Sequence, residues 1–185
     1  MSQPIFDAAR FVEFDLEKGT ISSTGSEKLA LVPIEALAAI VPSEDLARAA
    51  RKWGGLHGAR LRALQAEAKE SLGMESLAEH LGGTLATLGM GRIGVEIRGD
   101  ALAFKAEGQA GGLASGAGAL LEGFLAGYLS ALGSREFEVI HLGASRGGEI
   151  FFAGNKAAAE RVRWWIGEGI GPLAAIERLA EGIAS

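Results

Sequence analysis

The sequence predicts an α+β fold, long helices packed on a four-stranded antiparallel sheet, and three observations predict it. First, two stretches read as glycine-turned hairpins. In Gly91 to Ile97, residues Ile93, Val95 and Ile97 alternate with Arg92, Gly94 and Glu96, and Arg98-Gly99-Asp100 turns the chain into Ala101 to Ala106. In the second hairpin Phe137, Val139 and His141 face opposite to Glu138 and Ile140, Gly147-Gly148 turns, and Ile150-Phe151-Phe152 returns. Second, a small-residue helical stretch, ALLEGFLAGYLSALGS, lies between the hairpins. Third, apolar residues ahead of them recur at helical spacing. Two antiparallel hairpins that bracket a helix make a sheet with one helical face.

A chain of 185 residues suits one domain with a real core. Apolar residues make up 48% but aromatics only 6%, and there are 28 glycines, so the core depends on close backbone approach more than on bulk. A net charge of −5 leaves no basic footprint for nucleic acid. The absence of cysteine excludes disulfides, thiolate catalysis and cysteine metal sites. The opening MSQPIFDAAR lacks a charged segment followed by an apolar one, so no secretory signal is read. The most apolar run, Leu113 to Leu132, carries Glu122 and several glycines, which favours a buried helix over a membrane span. A cytoplasmic location is expected.

In order along the chain, residues 1–9 read as a loose terminus. Phe11 to Leu16 alternates, Glu17-Lys18-Gly19 turns, and Thr20-Ile21-Ser22 returns, making residues 1–32 a small β appendage that adds strands to the sheet or covers an edge. Pro33 opens a short helix, Ile34 to Val41, because its missing N–H would go unbonded there anyway. Ser43 caps the next helix and Glu44 and Asp45 suit its positive end. Leu46, Ala49, Ala50, Trp53, Leu56, His57, Leu61 and Leu64 then mark one long amphipathic helix to about Ser71. Gly54, Gly55 and Gly58 lie inside it, each costing about 1 kcal/mol against alanine. Close packing against a helix or sheet accounts for them, or else space left for a ligand or partner chain.

Gly73 ends that helix, and Glu75 to Leu88 forms another with Leu77, Leu81, Leu85 and Leu88 on one stripe. After the first hairpin, Ser115 caps a helix to Leu132, with Gly133 as its stop. Gly116, Ala119, Gly123 and Gly127 form its small-residue ridge. Asn155 caps a helix to about Gly167, and Pro172 to Ile183 is a last amphipathic one. The main domain is thus residues 33–155, and residues 156–185 extend it with two extra C-terminal helices.

These motifs carry a resemblance. The run G-x-G-x-x-x-V-E from Gly89, a hairpin, L-x-x-G-F-L-A-G-x-L-S-x-L from Leu120, and a second hairpin starting Glu138-Val139 are similar to the 4-vinyl-reductase-like, hydrocarbon-binding domain. That domain is related to the small subunits of the TRAPP vesicle-tethering complex. The resemblance spans roughly Leu31 to Asn155. It implies helices on a four-stranded antiparallel sheet, a homodimer, and an apolar pocket in place of a catalytic centre. The family's C-x-x-x-G-D-x-x-C-x-F pattern is absent: Gly143 and Phe151 stand at the cysteine positions and Gly148 at the aspartate. Any metal or redox role of those cysteines is lost. A weaker likeness, ending near Gly133, is to the D subunit of bacterial cellulose synthase, a structural protein.

Catalytic patterns are missing. His57, His80 and His141 sit on separate elements without metal-ligand spacing. His57 lies on an apolar stripe and reads as packed, His80 reads as solvated, and His141 sits in a strand near the glycine turn, open to a pocket-facing role but alone supporting no mechanism. No G-x-S-x-G elbow occurs, and the aspartates Asp7, Asp15, Asp45 and Asp100 stand in no suggestive setting. Gly89, Gly91 and Gly94 spell G-x-G-x-x-G, but before a strand, where a dinucleotide site needs them before a helix.

The expected function is therefore non-enzymatic: a small apolar ligand bound, or protein assembly mediated, by a homodimer. The alternative is a purely structural scaffold or assembly subunit. Pocket candidates are Trp53, Leu56, His57, Leu85, Leu88, Phe124 and Tyr128. Interface candidates are Gly123 and Gly127, and Arg161, Trp164 and Trp165, since Trp and Arg dominate interface hot spots. Adjacent tryptophans on a helix point about 100° apart, so Trp164 and Trp165 cannot both face one core. No cofactor, metal, nucleic acid or membrane span is expected.

Overall fold

A computed structural model describes residues 12–18, 20–23, 28–29, 34–68, 73–98, 101–107, 115–145 and 148–183. Strands β1 (Val12–Asp15), β2 (Thr20–Ser23) and β3 (Lys28–Leu29) come first. Helices α1 (Ile34–Ile40), α2 (Ser43–Ala68) and α3 (Met74–Thr87) follow. Then come β4 (Arg92–Arg98), β5 (Ala101–Glu107), α4 (Ser115–Gly133), β6 (Glu138–Ser145), β7 (Gly148–Gly154), α5 (Lys156–Gly167) and α6 (Pro172–Ile183). The α+β class and the two hairpins around a central helix stand as the sequence predicts. The turn residues Gly99, Asp100 and Gly147, and the end of the long helix near Ser71, lie outside the described residues.

The first three strands pair antiparallel as a sheet of their own, in the order β1-β2-β3. They add nothing to the main sheet, whose order is β4-β5-β7-β6, all antiparallel. The two hairpins therefore join through their inner strands, β5 and β7, and leave β4 and β6 as edges.

One expectation is corrected here: the sheet has helices on both faces. Ile93, Val95, Phe104, Phe151, Ala153 and Val139 pair across one face and pack with the inward residues of α2, α3 and α4. Ala101, Ala103, Phe152, Ile150 and Ile140 turn the other way and pack against Val162 and Trp165 of α5 and Ala175, Ile176 and Leu179 of α6. The inner strands carry the sign of this. A half-buried strand alternates apolar with polar, whereas Ala101-Leu102-Ala103-Phe104 and Ile150-Phe151-Phe152-Ala153 are apolar at both parities, as strands covered on two sides must be.

The long helix and the central helix run parallel and clasp each other through glycine. A Cβ at Gly54 would overlap the carbonyl of Phe124, and one at Gly58 the carbonyl of Tyr128. Reciprocally, Gly123 lies against the carbonyl of Ala47, and Gly127 against that of Arg51. Two Gly-x-x-x-Gly pairs thus bring two backbones into direct contact, which no residue with a side chain permits. Gly55 contributes its backbone N, 2.9 Å from where a Cβ at Gly127 would stand, but a Cβ on Gly55 itself would meet nothing nearer than the Gly127 carbonyl at 3.9 Å.

Helix ends follow local chemistry. The Asn155 side chain accepts a hydrogen bond from the Ala158 N–H at 2.9 Å and starts α5. The stop of α4 is shifted by one residue: Gly133 is still helical, and Ser134 takes the left-handed conformation with φ 51°. Gly73 is the N-cap of α3. Gly89 and Gly91, at φ 73° and 84°, turn the chain from α3 into β4, so the G-x-G-x-x-G match serves a turn. Among the described residues no helix is long and apolar enough to cross a membrane.

Candidate functional site

The glycine clasp decides which side chains meet inside the helical layer. Trp53 and His57 immediately precede Gly54 and Gly58, and with the backbones in contact their rings reach the central helix. Trp53 stands edge-on to Phe124 at 5.4 Å between centroids, and His57 lies 5.7 Å from the same ring. Phe124 stacks towards Tyr128 at 6.2 Å, and Tyr128 towards His80 of α3 at 6.1 Å. A continuous run of rings crosses from α2 through α4 to α3.

Polar tips cluster within it. His80 Nδ1 lies 2.9 Å from the Tyr128 hydroxyl, and both residues are buried. Burial, with the nearby His57 adding to it, pushes the His80 pKa down to about 4, so its ring is neutral at pH 7. Burial likewise raises the Tyr128 phenol above its ordinary value. Thr84, one turn beyond His80 on α3, is wholly buried. The site holds neutral donors and acceptors, walled by Leu81, Leu85, Phe104 and Phe151. It offers hydrogen bonds and apolar surface.

Of the seven pocket candidates, Leu85, Phe124 and Tyr128 are fully buried in this core, His57 is buried beside them, and Trp53 and Leu88 pack against it half-buried. Leu56 does not join them: it is 51% exposed on the outer side of α2. It directly precedes His57, and a helix turns about 100° per residue, so the inward His57 sends Leu56 out. His80 also departs from expectation. It is only 7% exposed, where the sequence suggested a solvated side chain. The signal was its spacing, three residues after Leu77 and one turn before Thr84, which places it on the buried stripe. Thr84 itself escaped the sequence reading.

The interface candidates separate. The neighbour that Gly123 and Gly127 meet is α2 of the same chain, which occupies that ridge. Trp165 is 8% exposed in the second core, beneath the Arg178 guanidinium, while Trp164 is 61% exposed with Arg161 and Arg163 exposed beside it. On the sheet, His141 Nε2 pairs with Glu149 at 2.8 Å and its ring stacks on Phe151. Glu122 of α4 accepts the His141 backbone N–H, fastening β6 to the central helix. Among the described residues no three His, Asp or Glu side chains converge as metal ligands.

No family model matches this chain, and no curated protein is significantly similar to it. Among solved structures, the chain is similar to the crystal structure of the phenol-responsive sensory domain of the transcription activator PoxR with phenol. The TM-score is 0.57 at 17% identity, covering 85% of this chain and 93% of that one. A likeness at that identity shows the α+β fold. It does not show the 4-vinyl-reductase-like family that the motifs resemble.

Proposed function

We propose that this chain is a non-enzymatic binding module that takes a small, mainly apolar molecule into its helical layer, between α2, α3 and α4. The observation that carries the proposal is the His80–Tyr128 pair, held among aromatic rings and leucines together with His57 and Thr84. Buried polar groups are costly and informative, and an apolar surround with a few converging polar tips is the usual make-up of a small-molecule site. The structural neighbour is a phenol-responsive sensory domain, which favours a compact aromatic ligand and a sensing role. Binding would draw mainly on area burial, at about 25 cal/mol per Å².

Pairing with a second copy belongs to the same reading. The glycine faces of α2 and α4 pack on each other and are closed to a second copy. Leu56 and Leu64, both exposed and two turns apart on α2, favour it. Sedimentation at micromolar concentration tests the pairing, and a monomer there ends it. The exposed Trp164 beside Arg161 and Arg163 favours the second reading, assembly with another protein and no ligand.

A titration with N-phenyl-1-naphthylamine, a neutral apolar dye, tests the binding proposal. Saturable one-to-one binding is expected in wild type, and its loss is expected in Leu85→Trp, which fills the walled region. Absence of binding in wild type leaves the assembly reading.

A further inference from the structure

Thr84 has a hydroxyl that none of the described residues engages. The residue is 0% exposed, and its Oγ1 has no hydrogen-bond partner among the described residues. A buried hydroxyl in a helix ordinarily bonds back to the carbonyl one turn earlier. Thr87 of the same helix does so, to Gly83 at 2.9 Å, and Ser130 of α4 bonds Ala126 at 2.6 Å. Thr84 keeps its hydroxyl off the carbonyl of His80. Leaving such a group unsatisfied in a dry interior is unfavourable, so its retention calls for a partner outside the chain.

The surroundings specify what that partner is. Thr84 follows His80 by one turn on the same face of α3, and His80 is engaged by Tyr128. The only buried polar residues among those described are His57, His80 and Thr84, apart from Tyr128, so no buried Lys or Arg awaits an anion and no buried carboxylate a cation. A hydroxyl both donates and accepts, which matches the threonine and the imidazole–phenol pair. We propose that Thr84, with the His80–Tyr128 pair one turn back, is the polar anchor for the hydroxyl end of a neutral, otherwise apolar ligand. The inference rests on the binding reading above and narrows it from any apolar molecule to a hydroxyl-bearing one.

Four probes sharing one ring separate the cases: benzyl alcohol, toluene, benzoate and benzylammonium, titrated calorimetrically against the full chain. In wild type, benzyl alcohol is expected to bind about tenfold more tightly than toluene, and the two ions not at all. In Thr84→Val, of nearly equal shape, that preference should shrink to within about twofold while toluene binding holds; Thr84→Ser should restore it. Thr84→Ala supplies a second hydroxyl-free background. Without ligand, Thr84→Val should also melt higher than wild type, because it removes an unsatisfied group. Toluene binding as tightly as benzyl alcohol, a preference that survives Thr84→Val, or a lower melting temperature in that variant overturns the anchor and leaves the binding reading standing. Failure of all four probes to bind wild type overturns both.

Discussion

His80 Nδ1 and the Tyr128 hydroxyl meet at 2.9 Å across the gap between α3 and α4, inside the buried core. This bond links the helix that leads into the sheet to the helix that spans its two hairpins. Tyr128→Phe keeps the ring and removes the bond, so it should destabilise the fold by about 1–3 kcal/mol. Urea unfolding of the two proteins measures it; equal midpoints would mean the bond adds nothing.

The same histidine makes stability depend on pH. Its folded pKa, about 4, lies below the ordinary 6.5, so between those values the unfolded chain binds the proton and the folded one resists it. Stability is therefore full above pH 6.5, falls as pH drops towards 4, and levels off below. The loss is of the order of 3 kcal/mol. Because carboxylates titrate in the lower part of that window, the measurement is the difference between wild type and His80→Gln at pH 7.5 and 4.5. A wild-type loss no larger than the variant's would remove His80 as the cause.

Glycines only a turn apart on α2 should respond in opposite directions. Gly58→Ala forces a methyl group into the Tyr128 carbonyl, and Gly123→Leu overpacks the contact with Ala47; each should cost about 1–3 kcal/mol or more. Gly55→Ala meets only ordinary contact and should stabilise by about 0.4–1 kcal/mol. Thermal melts of the three variants decide it, and similar melting temperatures for Gly55→Ala and Gly58→Ala would refute the clasp.

The two tryptophans of α5 should differ as sharply. Trp165→Ala empties a place in the second core and should cost about 3–5 kcal/mol. Trp164→Ala, at an exposed position, should stay within about 0.5 kcal/mol. Denaturant unfolding of each checks this, and a large loss for Trp164→Ala would place that ring against a surface of its own chain.

The residue pattern alone determined the local structure: the hairpins, the central and C-terminal helices, the Asn155 cap and much of the stripes that face inward, although Ala49, Leu56 and Leu64 of the predicted α2 stripe are exposed. Each rests on neighbours within a few residues, through alternation, helical spacing, and caps that bond one turn away. It also pointed to close approach at Gly54, Gly55, Gly58, Gly123 and Gly127, because helix-interior glycine is unfavourable unless a neighbouring backbone presses on it; at Gly55 a side chain would meet only ordinary contact. Which backbone presses was decided by tertiary structure, since the contact joins residues about seventy positions apart. The same holds for His80 and Thr84. Whether a polar side chain on the flank of an apolar stripe is wet or dry depends on how far the next helix leans over it. Here the α2–α4 clasp brings the helices together, and Tyr128 turns a histidine that looked solvated into the centre of the candidate site.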